Sequence, residues 1–261
     1  MHPVSDNPGA QALRGLRALL DPSRLATEPD DTAGYLDVLG AADEKPRTLA
    51  GRAMRSRLIV SIYQRGWRQA LNRAMGVGGM SAAQEREYAV HALRLGGPQR
   101  VLDVACGPGN FTQVFAAALS GDGLAVGLDA SPPMLAEAVA GNVVPRTAYL
   151  RADARRLPFE DGSFDAVCCY AALYLVPEPF TVLAEMLRVL APGGRIALMT
   201  NYRGSGEPQR VARGLVGLLG GLKMFERDEL PGVLRAAGMV DIDQDIRNFI
   251  QFVNATRPTG Y

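Results

Sequence analysis

The stretch VLDVACGPGN, residues 101–110, has the pattern of a buried strand running into a glycine turn. Val101, Leu102 and Val104 surround one carboxylate, Asp103, and Gly107 and Gly109 flank Pro108 before the amphipathic run FTQVFAAAL. A buried strand keeps a carboxylate only where something stabilises it. A glycine turn between strand and helix lets a ligand reach the backbone and the helix N-terminus.

The same rhythm continues downstream. RVLDVA leads into a helix over 110–119, and GLAVGLDA (123–130) into a helix over 133–140. A strand near TAYLRAD (147–153) follows, then FDAVCCYA (164–171), a fully apolar strand after the turn EDGS. A helix over 180–190 stops at Pro192-Gly193-Gly194, and RIALMTN (195–201) is another apolar strand. Short apolar strands separated by helices predict an α/β fold, a doubly wound parallel sheet covered on both faces. After a helix over 226–237, VDIDQDIR (240–247) and NFIQFVNAT (248–256) adjoin with almost no connector. Strands joined that tightly pair antiparallel, so the mostly parallel sheet gains a C-terminal antiparallel strand.

Upstream the character differs. Residues 1–45 are acidic and rich in turn signals, with one short helix over about 10–20. From Pro46 to Gln84 there are arginines at 47, 52, 55, 57, 65, 68 and 73 and no acid. Met54, Leu58, Ile62, Gly66 and Ala70 recur every fourth residue, which predicts an amphipathic helical cap with a basic outer face, ended by GVGG at 76–79. Ser81 opens a further helix with Gln84 at the capping-box position, reaching Leu95. The division expected is therefore 1–45, a cap over 46–79, and a main domain over 80–261 with an insertion at 202–224.

The 261 residues carry a net charge of +1 and a mean hydropathy of zero, so no global field recruits nucleic acid or an anionic membrane. The start, MHPVSDNPGA, lacks a charged n-region and an apolar h-region, and no run approaches the roughly 20 apolar residues of a bilayer span. Cys106, Cys168 and Cys169 lie in apolar strand context without metal-ligand spacing, so buried thiols and no metal site are expected, in a cytoplasmic protein.

The turn alone leaves the ligand open. A dinucleotide fingerprint needs a third glycine where this chain has Thr112, so phosphate binding is poorly supported. Asp129 ends the second strand, where a carboxylate accepts from a ribose diol or else caps the next helix, a role Ser131 fills better. Asp153, beside Ala154, ends the third. There a carboxylate accepts from an adenine amino group, or sits solvated in a loop.

VLDVACGPGN, GLDAS (127–131), RADARRLPFEDGSFDAV (151–167) and RVLAPGGRIAL (188–198), in this order and spacing, resemble the class I S-adenosylmethionine-dependent methyltransferases. The resemblance covers about residues 80–261 and is nearest to the branch acting on quinones and other small natural products. It implies a Rossmann-like fold and S-adenosylmethionine as cofactor, with S-adenosylhomocysteine as product. It places Asp103 near the methionyl ammonium, with Ala105, Gly107 and Gly109 against the chain of the cofactor. Asp129 and Ala130 take the ribose, Asp153 and Ala154 the adenine. Ala105 departs from the family's usual glycine by one methyl.

Methyl transfer from a sulfonium needs mainly alignment, and a base only where the acceptor must lose a proton. Relatives often carry histidine where this chain has Tyr174, and tyrosine is a poor base at neutral pH. Tyr170 and Tyr174 lie where the family places residues between cofactor and acceptor. They offer a ring face or hydroxyl to the sulfonium or the acceptor (Tyr170 also as a cofactor contact), or else pack in the core. No general base is assigned, and His91 lies mid-helix. In related enzymes helices from the region of SIYQRGWRQ (61–69) close over the cofactor, which makes Tyr63 and Arg68 candidate cofactor contacts; the alternative is Trp67 as a packing anchor with Arg65 and Arg68 in solvent. The insertion, with Leu215, Val216, Leu218, Leu219 and Leu222, reads as an apolar lid suited to a hydrophobic acceptor such as a quinone, polyketide or lipid-like molecule, or else as an ordinary helix on the sheet edge. The alternatives are methylation of RNA or protein, favoured only by the arginine helix, and a non-catalytic cofactor-binding protein.

Overall fold

The computed structural model describes residues 8–25, 27–40, 80–176, 178–204 and 223–260. The arginine-rich cap over 46–79, with Tyr63 and Arg68, lies outside the described residues, as does most of the insertion. The chain opens with α1 (Pro8–Ala18), a short 3-10 helix (Pro22–Arg24) and β1 (Leu36–Asp37). Then come α2 (Ala82–Ala92), β2 (Arg100–Val104), α3 (Thr112–Ala118), β3 (Leu124–Asp129), α4 (Pro132–Gly141) and β4 (Thr147–Arg151). After β5 (Phe164–Tyr170) and a 3-10 helix (Leu173–Leu175) follow α5 (Pro179–Val189), β6 (Leu190–Asn201), α6 (Glu229–Ala236), β7 (Val240–Arg247) and β8 (Ile250–Thr256).

Local chemistry sets the helix starts. Ser81 and Gln84 close a reciprocal capping box on α2, with the Ser81 hydroxyl accepting from the Gln84 N–H at 3.2 Å and Gln84 Oε1 accepting from the Ser81 N–H at 2.8 Å. Proline in the first turn opens α4 and α5, where its missing N–H costs nothing.

The strands form one eight-stranded sheet in the order β1-β4-β3-β2-β5-β6-β8-β7. β1 to β6 run parallel, and β8 is antiparallel to both β6 and β7, as the tight C-terminal connection predicted. One face of the sheet buries Leu102, Val104, Val126 and Leu198 against Leu16 of α1, Leu183 and Met186 of α5 and Leu234 of α6. The other buries Val101, Ala125, Ala166 and Ala197 with Ala89 of α2 and Phe115 of α3. This three-layer arrangement follows from strands that are apolar on both faces.

Two features position the site. The connections from β2 lead outward to β3 and β4, whereas β5 lies on the other side of β2, so the strand order reverses between β2 and β5. In open α/β sheets ligands bind outside the C-terminal strand ends at such a point. The N-terminal residues also join this sheet: Leu36 pairs with Leu150 and Asp37 with Arg151, and the Asp37 carboxylate meets Arg151 Nη1 at 2.7 Å. Among the described residues no helix is long and apolar enough to cross a membrane.

Candidate functional site

Asp103, Asp129 and Asp153 stand at or just beyond the C-terminal ends of β2, β3 and β4, and Tyr170 ends β5. Adjacent parallel strands thus bring them to one rim of the sheet.

Asp103 is 2% exposed. Its carboxylate accepts from the Thr112 hydroxyl at 2.7 Å and from the Cys168 thiol at 3.6 Å, Cys168 being its register partner on β5. Both donors are neutral, and no cation among the described residues pairs with it. Burial pushes its pKa up to about 6, only partly offset by these bonds.

The turn after β2 is strained. Ala105 has φ +58°, a left-handed conformation unfavourable to a residue with a Cβ. A second such residue, Ala171 at φ +57°, follows β5, so strained alanines flank the point where the strand order reverses. Gly107 and Gly109 also have positive φ, but their surroundings differ. Among the described residues a Cβ on Gly107 would meet only Met134 Sδ, at 3.9 Å, so toward these residues that face of the turn is open. A Cβ on Gly109 would lie 2.2 Å from the Tyr149 hydroxyl oxygen. The protein itself fills the room that Gly109 leaves. Tyr149 donates to the Asn142 carbonyl at 2.8 Å and Asn142 Nδ2 donates to the Pro108 carbonyl at 2.6 Å, which ties α4 to the turn.

Asp129 links the turns after β2 and β3. Its Oδ2 accepts from the Gly107 N–H at 2.9 Å and its Oδ1 from the Ser131 N–H at 2.8 Å. Ser131 is the N-cap of α4 by position, yet its side chain makes no capping bond. Ala130 follows, its carbonyl accepting from Arg151 Nε at 3.5 Å. Asp153 is gripped by Arg155: Oδ1 accepts from the Arg155 backbone N–H at 2.8 Å, and the guanidinium reaches both oxygens, Nη2 to Oδ2 at 2.6 Å. Burial alone would raise the Asp153 pKa, but the bonds to Arg155 outweigh it and hold the carboxyl below its ordinary range. Ala154 packs against the core beside it.

Tyr170 is buried and stacks on Phe111 with ring centroids 4.8 Å apart and planes at 23°. Its hydroxyl has no hydrogen-bond partner among the described residues, and burial drives its pKa upward. Tyr174 lies half-buried in the 3-10 helix after β5, packed against the other core face, and its carbonyl accepts from the Lys223 N–H at 3.1 Å. His91 is exposed on α2. The three cysteines are free and buried. Sequence reasoning passed over Thr112 and Cys168 as partners of Asp103, Tyr149 beneath the turn, and Arg155 on Asp153.

Comparison with known proteins gives this rim a family. Residues 102–198 match the methyltransferase-domain family. Two uncharacterized chloroplastic methyltransferases of Arabidopsis thaliana are 30% and 31% identical over 86% of this chain, which spans 66% and 67% of their lengths. A demethylmenaquinone methyltransferase of Lactiplantibacillus plantarum is 35% identical over 44% of this chain and 50% of its own. Among solved structures, phosphoethanolamine N-methyltransferase 2 of Haemonchus contortus, in complex with phosphomonomethylethanolamine and S-adenosylhomocysteine, superposes with a TM-score of 0.60. That match covers 68% of this chain and 53% of that one at 17% identity. The [4+2]-cyclase SpnF superposes at 0.56, over 70% and 85% of the two chains at 20% identity, and so shares the fold. With the strand order, the glycine turn and the three rim carboxylates in place, the chain belongs to the class I S-adenosylmethionine-dependent methyltransferases.

Proposed function

We propose that the protein transfers a methyl group from S-adenosylmethionine to a small, hydrophobic acceptor of quinone type. Asp103 carries the cofactor placement. Its carboxylate is buried and held by the neutral groups of Thr112 and Cys168, with no cation beside it among the described residues, and the methionyl ammonium supplies one. The open face at Gly107 gives the cofactor room beside the backbone, with Ala105 and Gly109 shaping the turn around it. Asp129, already oriented by two backbone N–H groups, takes the ribose hydroxyls beside Ala130, and Asp153 and Ala154 take the adenine. Tyr63 and Arg68, outside the described residues, remain proposed contacts to the cofactor.

When bound, the cofactor supplies a methyl carbon already activated by sulfonium charge. The work left to the chain is to align donor and acceptor and to exclude water. We assign Tyr170, which ends β5, and Tyr174, just after it, to the acceptor side. Tyrosine is already protonated at neutral pH and burial of Tyr170 moves its pKa further up, so its hydroxyl is a hydrogen-bond donor suited to an acceptor carbonyl or hydroxyl, and not a base. The quinone class is favoured by the partial similarity to demethylmenaquinone methyltransferases.

Titration calorimetry with S-adenosylhomocysteine tests the site. Asp129→Ala is expected to weaken binding by about a hundredfold, the cost of two charge-assisted hydrogen bonds. Near-native affinity would sink the ribose assignment. Incubation with S-adenosylmethionine and a demethylated naphthoquinol is expected to add one methyl group to the quinol, as read by mass spectrometry.

A further inference from the structure

Asp153 is set before any ligand arrives. Arg155 donates to it three ways: the backbone N–H to Oδ1 at 2.8 Å, Nε to the two oxygens at 3.1 and 3.0 Å, and Nη2 to Oδ2 at 2.6 Å. The backbone bond closes a local turn that fixes the direction of the Asp153 side chain. The fork then fixes the plane of the carboxylate. Arg155 is itself held from the far side, where Nη1 meets Glu178 Oε1 at 3.3 Å, just ahead of α5. Asp153 nonetheless keeps 34% of its side chain exposed, so the carboxylate is gripped from one side and open on the other.

A carboxylate offers about four acceptor positions, and Arg155 occupies most of them. What remains suits one small donor arriving from the open side. The exocyclic amino group of adenine is such a donor. A 6-oxo purine places a carbonyl oxygen there instead, and an ionised, immobile carboxylate cannot turn or take up a proton to accommodate it. We propose that Arg155 is the positioning residue that makes this site discriminate 6-amino from 6-oxo purines, by holding the Asp153 carboxylate fixed in one plane. The inference rests on the assignment of Asp153 to the adenine.

The test needs no acceptor. Calorimetry compares S-adenosylhomocysteine with S-inosylhomocysteine on the full chain, with thermal melting to verify that each variant is folded. The parent is expected to prefer the adenosyl compound by about a hundredfold, the upper worth of one hydrogen bond to a charged group, which the oxo ligand cannot make. Arg155→Ala is expected to lose about tenfold of that preference, the worth of one charged hydrogen bond. Arg155→Lys, which keeps the charge but cannot span both oxygens, should recover less than half of the loss. Asp153→Ala should lose at least as much as Arg155→Ala. If Arg155→Ala keeps the full preference while Asp153→Ala loses it, the role of Arg155 is overturned and the adenine assignment stands. If Arg155→Lys restores the preference completely, charge suffices and the fork mechanism is overturned. If Asp153→Ala keeps the preference, both fall.

Discussion

At Asp103 the sheet carries a carboxylate whose pKa is pushed from the ordinary 3.8 up to about 6, because burial outweighs the bonds from Thr112 and Cys168. Between those two values the folded chain binds more protons at this group than the unfolded chain does. Its contribution to stability therefore falls as pH rises from about 4 to about 6, and the loss persists above that range. Asp103→Asn keeps the shape and removes the charge. It is expected to stabilise the unbound protein by about 2–3 kcal/mol at pH 7 and by little near pH 4, and to weaken cofactor binding at least tenfold. Denaturant unfolding at the two pH values, with calorimetry, checks this; an equal gain at both would show that the folded carboxyl is not raised. The acid, its strand and its turn were legible in residues 101–110. The partners were not, because Cys168 is 65 positions away and meets Asp103 only through strand register. Arg155, two residues from Asp153, was within reach of sequence reasoning.

The β2–turn–α3 unit shows what periodicity does and does not reveal. Alternation of apolar strands with helices made the elements from β2 to β8 readable, and the capping box of α2 was readable because its partners are three residues apart. What approaches Gly109 was not. The resemblance points to the cofactor, whereas the structure puts the Tyr149 hydroxyl there, delivered by β4 across Gly127, where a Cβ would also collide with the ring at 2.7 Å. Only three-dimensional register brings a tyrosine over two glycines. Gly109→Ala adds a methyl into a space already full and imposes a Cβ at φ +79°. It is expected to cost about 3 kcal/mol in unfolding free energy, through overpacking and backbone strain together. A cost below about 1 kcal/mol would mean that Tyr149 can yield and does not define the turn.

On the scale of the molecule, the N-terminal residues complete the sheet on the side that carries the proposed adenosine contacts. β1 was invisible in the sequence because a pair of residues has no periodicity, and its anchor, Arg151, lies 114 positions from Asp37. That pair is largely buried, with side-chain exposures of 7% and 20%, and the Asp37 Oδ1 atom also accepts from the Leu39 and Gly40 N–H groups. Asp37→Ala removes this carboxylate from the largely buried Arg151 and is expected to cost about 3 kcal/mol, read by denaturant unfolding. The central claim, methyl transfer to a small apolar acceptor, is tested most directly with methyl-labelled S-adenosylmethionine, purified protein and an extract of the source cells. Label is counted separately in the organic-soluble, nucleic-acid and protein fractions. The account predicts label in the organic-soluble fraction. Label in nucleic acid or protein, or none in any fraction while calorimetry shows cofactor bound, would contradict it.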